Sequence, residues 1–171
     1  ESGDILRAAK KAGSAVTAET CPHYFTLTEE CCATYDTNTK MNPPLRTADD
    51  VKAVIEGLSD GTIDCIATDH APHAWEEKMV EFDRAPNGII GLQTAVPLAI
   101  ENLVLPDKIS LKRMVDAFST APARIIGLED KGRIEVGKEA DLTIFSLKKE
   151  TLLKKEDIKS LSKNSPFIGR K

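Results

Sequence analysis

Asp69, His70 and His73 stand together in "IDCIATDHAPH", residues 63–73, in a chain with only three histidines among its 171 residues. The run Ile63 to Thr68 is rich in β-branched and small apolar side chains and reads as a short buried strand, which Pro72 stops from continuing. The polar cluster therefore belongs at the C-terminal end of a strand. Two readings fit that position. In one it is a surface turn, with Asp69 capping local backbone amides and both histidines solvated. In the other Asp69 serves a metallohydrolase: one carboxylate oxygen holds a divalent cation while the other takes a proton from the attacking water and returns it to the leaving nitrogen. A cation lowers the pKa of bound water to about 7, so nucleophile and base coexist at neutral pH. Spacing alone leaves both readings open.

The elements that must position these residues follow an αβ grammar. Asp4 can cap a helix from Ile5 to Ala12, Gly13 supplies a left-handed residue after it, and "AVTAE" at 15–19 alternates like a strand. Thr28 can cap a short helix, and Pro43 and Pro44 make "KMNPPLR", 40–46, a loop. Thr47 and Asp50 form a capping-box pattern ahead of Val51, Val54, Ile55 and Leu58 on one helical face. After the strand ending at Asp69 comes a loop of about twenty residues, a length that in a compact domain is usually functional. "LQTAVPLAIENLV" reads as a helix bent at Pro97. "SLKRMVDAFS" reads as a helix capped by Ser110 with Leu111, Met114, Val115 and Phe118 inward, and "APARIIGL" as a third. From Lys131 the style changes to short strands punctuated by Gly132 and Gly137, which places a domain boundary near 128. Helix, strand, loop, helix, strand, long loop, helix describes an α/β protein with parallel strands, and in barrels of that kind the reacting groups lie at the strands' C-terminal ends. Only two of eight barrel strands are evident, so the chain reads as a piece of a larger barrel.

Composition narrows the function classes. The chain is 41% hydrophobic and 29% charged, with no apolar run long enough to span a bilayer and no leader pattern at its start. A net charge of -4 gives no electrostatic reason to bind nucleic acid, and the basic excess over residues 148–171 reads as a solvated tail. Cys21, Cys31, Cys32 and Cys65 lack C-x-x-C spacing and fit reduced thiols in a cytoplasmic protein.

Four segments in order, "KMNPPLR", "DGTIDCIATDHAPH", "NGIIGLQTAVPL" and "GRIEVGKEADLTIF", resemble the type I dihydroorotases of the amidohydrolase superfamily. The resemblance implies the C-terminal part of a (β/α)8 TIM-type barrel over 1–127. It also implies part of a small β-rich domain over 128–171. It further implies a binuclear zinc centre and reversible cyclisation of N-carbamoyl-L-aspartate to (S)-dihydroorotate in pyrimidine synthesis. Carried onto this sequence, Asp69 corresponds to the zinc-ligand aspartate that acts as general acid and base. Asn42 and His73 correspond to substrate-binding residues. Asn87 and Gly88 correspond to a loop pair that meets the pyrimidine ring through backbone groups, with Gly88 needed because a side chain would hold the ligand away. The family more often has an aromatic residue or proline where Asn87 stands.

His23, in "CPHY", is expected to make local hydrogen bonds rather than touch metal, because in the family the zinc histidine of this region is assigned to the preceding strand. His70 points away from Asp69 in a supporting role. Arg46 braces its loop, and Trp75 either covers the site or packs. The family's H-x-H pair, bridging carboxylated lysine or aspartate, further histidines and substrate-gripping arginine have no counterpart here, so the 171 residues alone are expected to be inactive. Two alternatives to dihydroorotase are a hydantoinase- or allantoinase-type cyclic amidase and a non-catalytic homologue that scaffolds aspartate transcarbamoylase. A homodimer is common in the family.

Overall fold

The computed structural model describes residues 1–150 and 152–170. Its framework is a pair of parallel strands, β1 (Glu19–Thr20) and β2 (Cys65–Ile66), with Glu19 opposite Cys65 and Thr20 opposite Ile66. Both strands are shorter than the 15–19 and 63–68 segments read from the sequence. A lone parallel bridge from His70 to Ile89 extends the ladder past β2.

Helix α1 (Ser2–Lys11) precedes β1, and Gly13 follows it at φ +81°. Asp4 lies inside its first turn, pairing with Arg7, and Glu1 occupies the N-cap position without a side-chain cap. Polar contacts hold this helix, which has no buried residue. Arg7 Nε donates to Asp60 at 2.7 Å and Lys10 Nζ to Asp64 at 2.6 Å. The same Asp64 oxygen accepts from Ala18 N at 2.8 Å, which sets β1 beside the entrance to β2.

Helix α2 (Ala48–Asp60) forms where the capping box places it. Thr47 accepts from Asp50 N, Asp50 accepts from the Thr47 backbone, and Gly61 ends the helix at φ +81°. Ile55 and Leu58 are buried, with Val51 and Val54 packed beside them. Thr47→Ala is expected to cost about 1 kcal/mol of stability, read from a urea titration.

The helices after the long loop differ from the expected pattern. The loop carries a single helical turn, α3 (Trp75–Lys78). Helix α4 (Ala95–Ala99) places Pro97 in its first turn, where the missing amide is unneeded. The irregularity falls instead at a π turn, Ile100–Val104. Helix α5 (Leu111–Val115), capped by the Ser110 side chain, runs into a second π turn, Asp116–Thr120, and then α6 (Ala121–Ile125). Met114 and Ala117 are fully inside and Phe118 partly so, while Leu111 and Val115, which the sequence pattern placed inward, are exposed. Arg113 stitches α5 to the strand layer, donating to the carbonyls of Leu58 at 2.8 Å, Ile63 at 2.5 Å and Asp64 at 3.2 Å.

Phe25, Leu58, Ile89, Leu103 and Met114 form the centre of the core. Two expectations for the C-terminal segment need correction. Among the described residues of 128–150 there is no strand, and Ile134, Val136 and Ile144 are almost fully exposed. Alternation produces a strand only where a neighbouring backbone accepts its hydrogen bonds. The basic end is not a solvated tail either: Ile158, Asn164, Ser165 and Phe167 are buried, and Phe167 joins the same core cluster as Phe25. Asn164 O accepts from Ile90 N at 3.0 Å, and Asn164 Nδ2 donates to Ala71 O at 2.9 Å.

Candidate metal centre

Because β1 and β2 are parallel neighbours, the residues just past their C-terminal ends arrive at one rim. Past β1 come Cys21, in extended backbone, and a 3-10 turn over Pro22–Phe25 that carries His23. Past β2 comes Asp69, at φ +47°, a left-handed conformation that aspartate adopts more readily than most residues. One ligand atom from each of Cys21, His23 and Asp69 lies within 4.8 Å of the others. Cys21 and His23 are buried and Asp69 is exposed. A cavity of about 630 Å³ opens over this rim, lined by Thr20, Cys21, Tyr24, Pro43, Pro44 and Asp69.

The site sets a neutral, buried imidazole and a buried thiol beside an exposed carboxylate. His23 is 3% exposed and its Nε2 has no hydrogen-bond partner among the described residues. Burial pulls its imidazole down to about 4, only partly opposed by the Asp69 charge. Burial, helped by the same carboxylate, pushes the Cys21 thiol up to about 12. A neutral imidazole nitrogen without a partner, facing a carboxylate, suits a divalent cation: nitrogen, oxygen and sulfur donors are the set that zinc and its neighbours take. The residues present fit such an ion.

The His23 titration gives a signed expectation for the metal-free protein. Unfolded, the imidazole takes its proton near pH 6.5; folded, it resists until about 4. Between those values the unfolded state binds the extra proton, so the stability present above pH 6.5 falls as the pH drops toward 4. The full difference corresponds to about 3 kcal/mol. Urea midpoints of the chelator-treated polypeptide should fall more steeply from pH 7 to 4.5 than those of His23→Gln; parallel profiles would refute the assignment.

The expected site residues divide into two groups. Asp69 is in the cluster. Asn42 is exposed and its neighbours Pro43 and Pro44, not Asn42 itself, line the cavity; Tyr24 Oη donates to Pro43 O at 2.7 Å and holds that loop over the rim. His73, Asn87 and Gly88 come together in a separate hydrogen-bonded loop. His73 Nε2 lies 2.9 Å from Asn87 O, and Gly88 N donates to Lys40 O at 2.8 Å. Gly88 O accepts from the buried Lys78 Nζ at 3.1 Å and from Asn164 Nδ2 at 3.3 Å. A Cβ at Gly88 would stand 2.7 Å from Ala71 Cβ, on a backbone at φ +98°, so the protein's own chain also excludes a side chain there.

His70 Nδ1 accepts from Gly91 N at 3.0 Å, and Arg46 pairs with Asp50 while its carbonyl takes Glu29 N. Trp75 is exposed, with Lys155 Nζ 5.0 Å above its ring. His23 and Cys21 are the residues that sequence reasoning set aside. A usable signal was present in the paired pattern: each short strand is followed within a few residues by a proline and a histidine, "CPH" and "DHAPH".

The amidohydrolase family model matches residues 4–169. The chain belongs to the amidohydrolase family. Such enzymes are in general metal-dependent, in keeping with the donor set at the rim. Among the relatives this amidohydrolase segment resembles, the dihydroorotase of Ruminiclostridium cellulolyticum is 56% identical over 166 residues, 97% of this chain and 39% of the relative. That of Endomicrobium trichonymphae is 55% identical over 98% of this chain and 40% of the relative. The segment thus spans about two fifths of the length of the relatives it matches. Of solved structures, the L-hydantoinase (dihydropyrimidinase) from Arthrobacter aurescens superposes with a TM-score of 0.92 at 32% identity, over 98% of this chain and 38% of that one. These likenesses fit an α/β barrel-type enzyme. Among the described residues no helix is long and apolar enough to cross a membrane.

Proposed function

We propose that residues 1–171 are the C-terminal portion of a dihydroorotase, a (β/α)8 barrel enzyme that reversibly cyclises N-carbamoyl-L-aspartate to (S)-dihydroorotate in cytoplasmic pyrimidine synthesis. Residues 1–127 contribute to the barrel and 128–171 to the small second domain. The observation that carries this reading is the gathering of ligand atoms of Asp69, His23 and Cys21 at the ends of two adjacent parallel strands. Asp69 would hold a zinc ion of a binuclear pair, with the remaining ligands from the rest of the polypeptide, and His23 lies beside it. When bound, such ions lower the pKa of a water molecule and polarise the ring carbonyl.

The remaining steps belong to this chain. Asp69, the exposed member of the cluster, takes the proton of the attacking water on one carboxylate oxygen and delivers it to the amide nitrogen as the ring opens; ring closure reverses the transfer. Asn42 and His73 orient the substrate carboxylate, and the Asn87–Gly88 backbone, engaged with His73, Lys40, Lys78 and Asn164, holds His73 in place. Identities of 52–56% to several dihydroorotases, against 32% to the hydantoinase, favour the six-membered acidic ring over hydantoins. Initial rates of the complete polypeptide on dihydroorotate and on hydantoin test this. Preferential turnover of dihydroorotate is expected, and preferential hydantoin cleavage would assign the segment to that branch instead. Failure to turn over either, with metal bound, would favour a scaffolding homologue of aspartate transcarbamoylase.

A further inference from the structure

Asn164 is 6% exposed, and both polar atoms of its side chain meet the loops that follow the strand ending at Asp69. Its Nδ2 donates to Ala71 O at 2.9 Å and to Gly88 O at 3.3 Å, and its Oδ1 accepts from His73 N at 3.3 Å. Its own carbonyl accepts from Ile90 N at 3.0 Å. Two residues earlier, Ser162 Oγ donates to His73 O. Residues 162 and 164 thereby take both backbone groups of His73, whose ring lies with Nε2 2.9 Å from Asn87 O and Nδ1 3.7 Å from the Glu77 carboxylate.

The segment that carries Asn164 is itself anchored on both sides. Ile158 is buried before it and Phe167 sits in the core cluster after it. Lys163 Nζ donates to Ile158 O at 2.6 Å and to Ser160 O at 2.7 Å, tying the stretch between them back on itself. An amide side chain offers an acceptor and two donors in one plane, so Asn164 can serve 71–73 and 88–90 at once and fix their separation. A buried amide with its bonds satisfied would by itself be ordinary. What points further is the target: Asn164 and Ser162 converge on the one residue of this loop whose side chain is assigned to substrate.

We propose that Asn164, assisted by Ser162, is a positioning residue for substrate binding, acting through His73 to hold the imidazole where it meets the anionic substrate carboxylate; this rests on the reading that His73 binds substrate. Misplacing a group that grips a non-reacting part of the substrate weakens binding in ground and transition states alike, so the loss falls on KM rather than kcat. None of these bonds involves Asp69, and proton transfer is largely spared.

The test is a double-substitution cycle in the complete polypeptide with dihydroorotate as substrate. Asn164→Ala is expected to raise KM about tenfold with kcat within about threefold of wild type. Ser162→Ala, which removes a single bond to His73, is expected to raise KM about threefold in the same way. In a His73→Ala background, whose own KM is raised, either substitution should add less than about twofold, because the group it positions is gone. An unchanged KM in the folded variants, or effects that multiply undiminished with His73→Ala, overturns the positioning role and leaves His73 as a substrate residue. A His73→Ala enzyme with the wild-type KM, or a wild type that does not turn over dihydroorotate, overturns the parent reading as well. If Asn164→Ala does not fold, as its thermal melt would show, the milder Ser162→Ala decides on the same readouts.

Discussion

Asp69→Asn in the complete polypeptide is expected to lower kcat on dihydroorotate by roughly 10²–10⁴-fold, the usual worth of a positioned general acid–base group. The substitution keeps the side chain's size and one acceptor oxygen and removes the negative charge together with the oxygen that carries the proton. The backbone gives a reason to choose asparagine over alanine. Residue 69 sits at φ +47°, where asparagine is tolerated as well as aspartate and alanine is strained by about 1–2 kcal/mol. Residue 69 is also exposed, so no core contact is lost. Thermal unfolding should therefore move little while turnover collapses. A variant with kcat within threefold of wild type would remove Asp69 from the mechanism; a variant that loses turnover only because it unfolds would show in the melt.

Gly88→Ala is expected to act on stability and substrate affinity together. The left-handed backbone costs alanine about 1–2 kcal/mol, and the new methyl at 2.7 Å from Ala71 Cβ adds about 1–3 kcal/mol of overpacking. The strain cannot relax locally, because both backbone groups of Gly88 are engaged: the amide on Lys40, the carbonyl on Lys78 and Asn164. Relief requires the 71–73 and 87–88 segments to part, which displaces His73 from Asn87 O. A drop in denaturant midpoint should accompany a rise of about tenfold in KM, with kcat changed much less because the Asp69 rim is a separate cluster. Loss of stability with an unchanged KM would show that this loop does not hold substrate.

The sequence alone determined whatever depends on neighbours in the chain. The capping box at Thr47 and Asp50, the apolar face of α2, the left-handed glycines 13 and 61, the Ser110 cap and the strand-end position of Asp69 all follow from local sterics and hydrogen bonding. The catalytic candidate was legible for the same reason, since "TDHAPH" ends a strand by its own composition. The tertiary structure decided everything that rests on pairing between distant segments. Parallel pairing of Glu19–Thr20 with Cys65–Ile66 brings His23 and Cys21 to Asp69, a relation no local rule encodes. Packing, not alternation, decides which apolar segments become strands, so Ile134 and Val136 remain exposed while the charged C-terminal stretch returns to bury Phe167. The π turns at 100–104 and 116–120 rotate helical faces by a fraction of a turn, which periodicity counted along the sequence assumes away. A helix closes its own hydrogen bonds within four residues, whereas a sheet and the site built on its rim exist only once remote segments have paid the entropy of meeting.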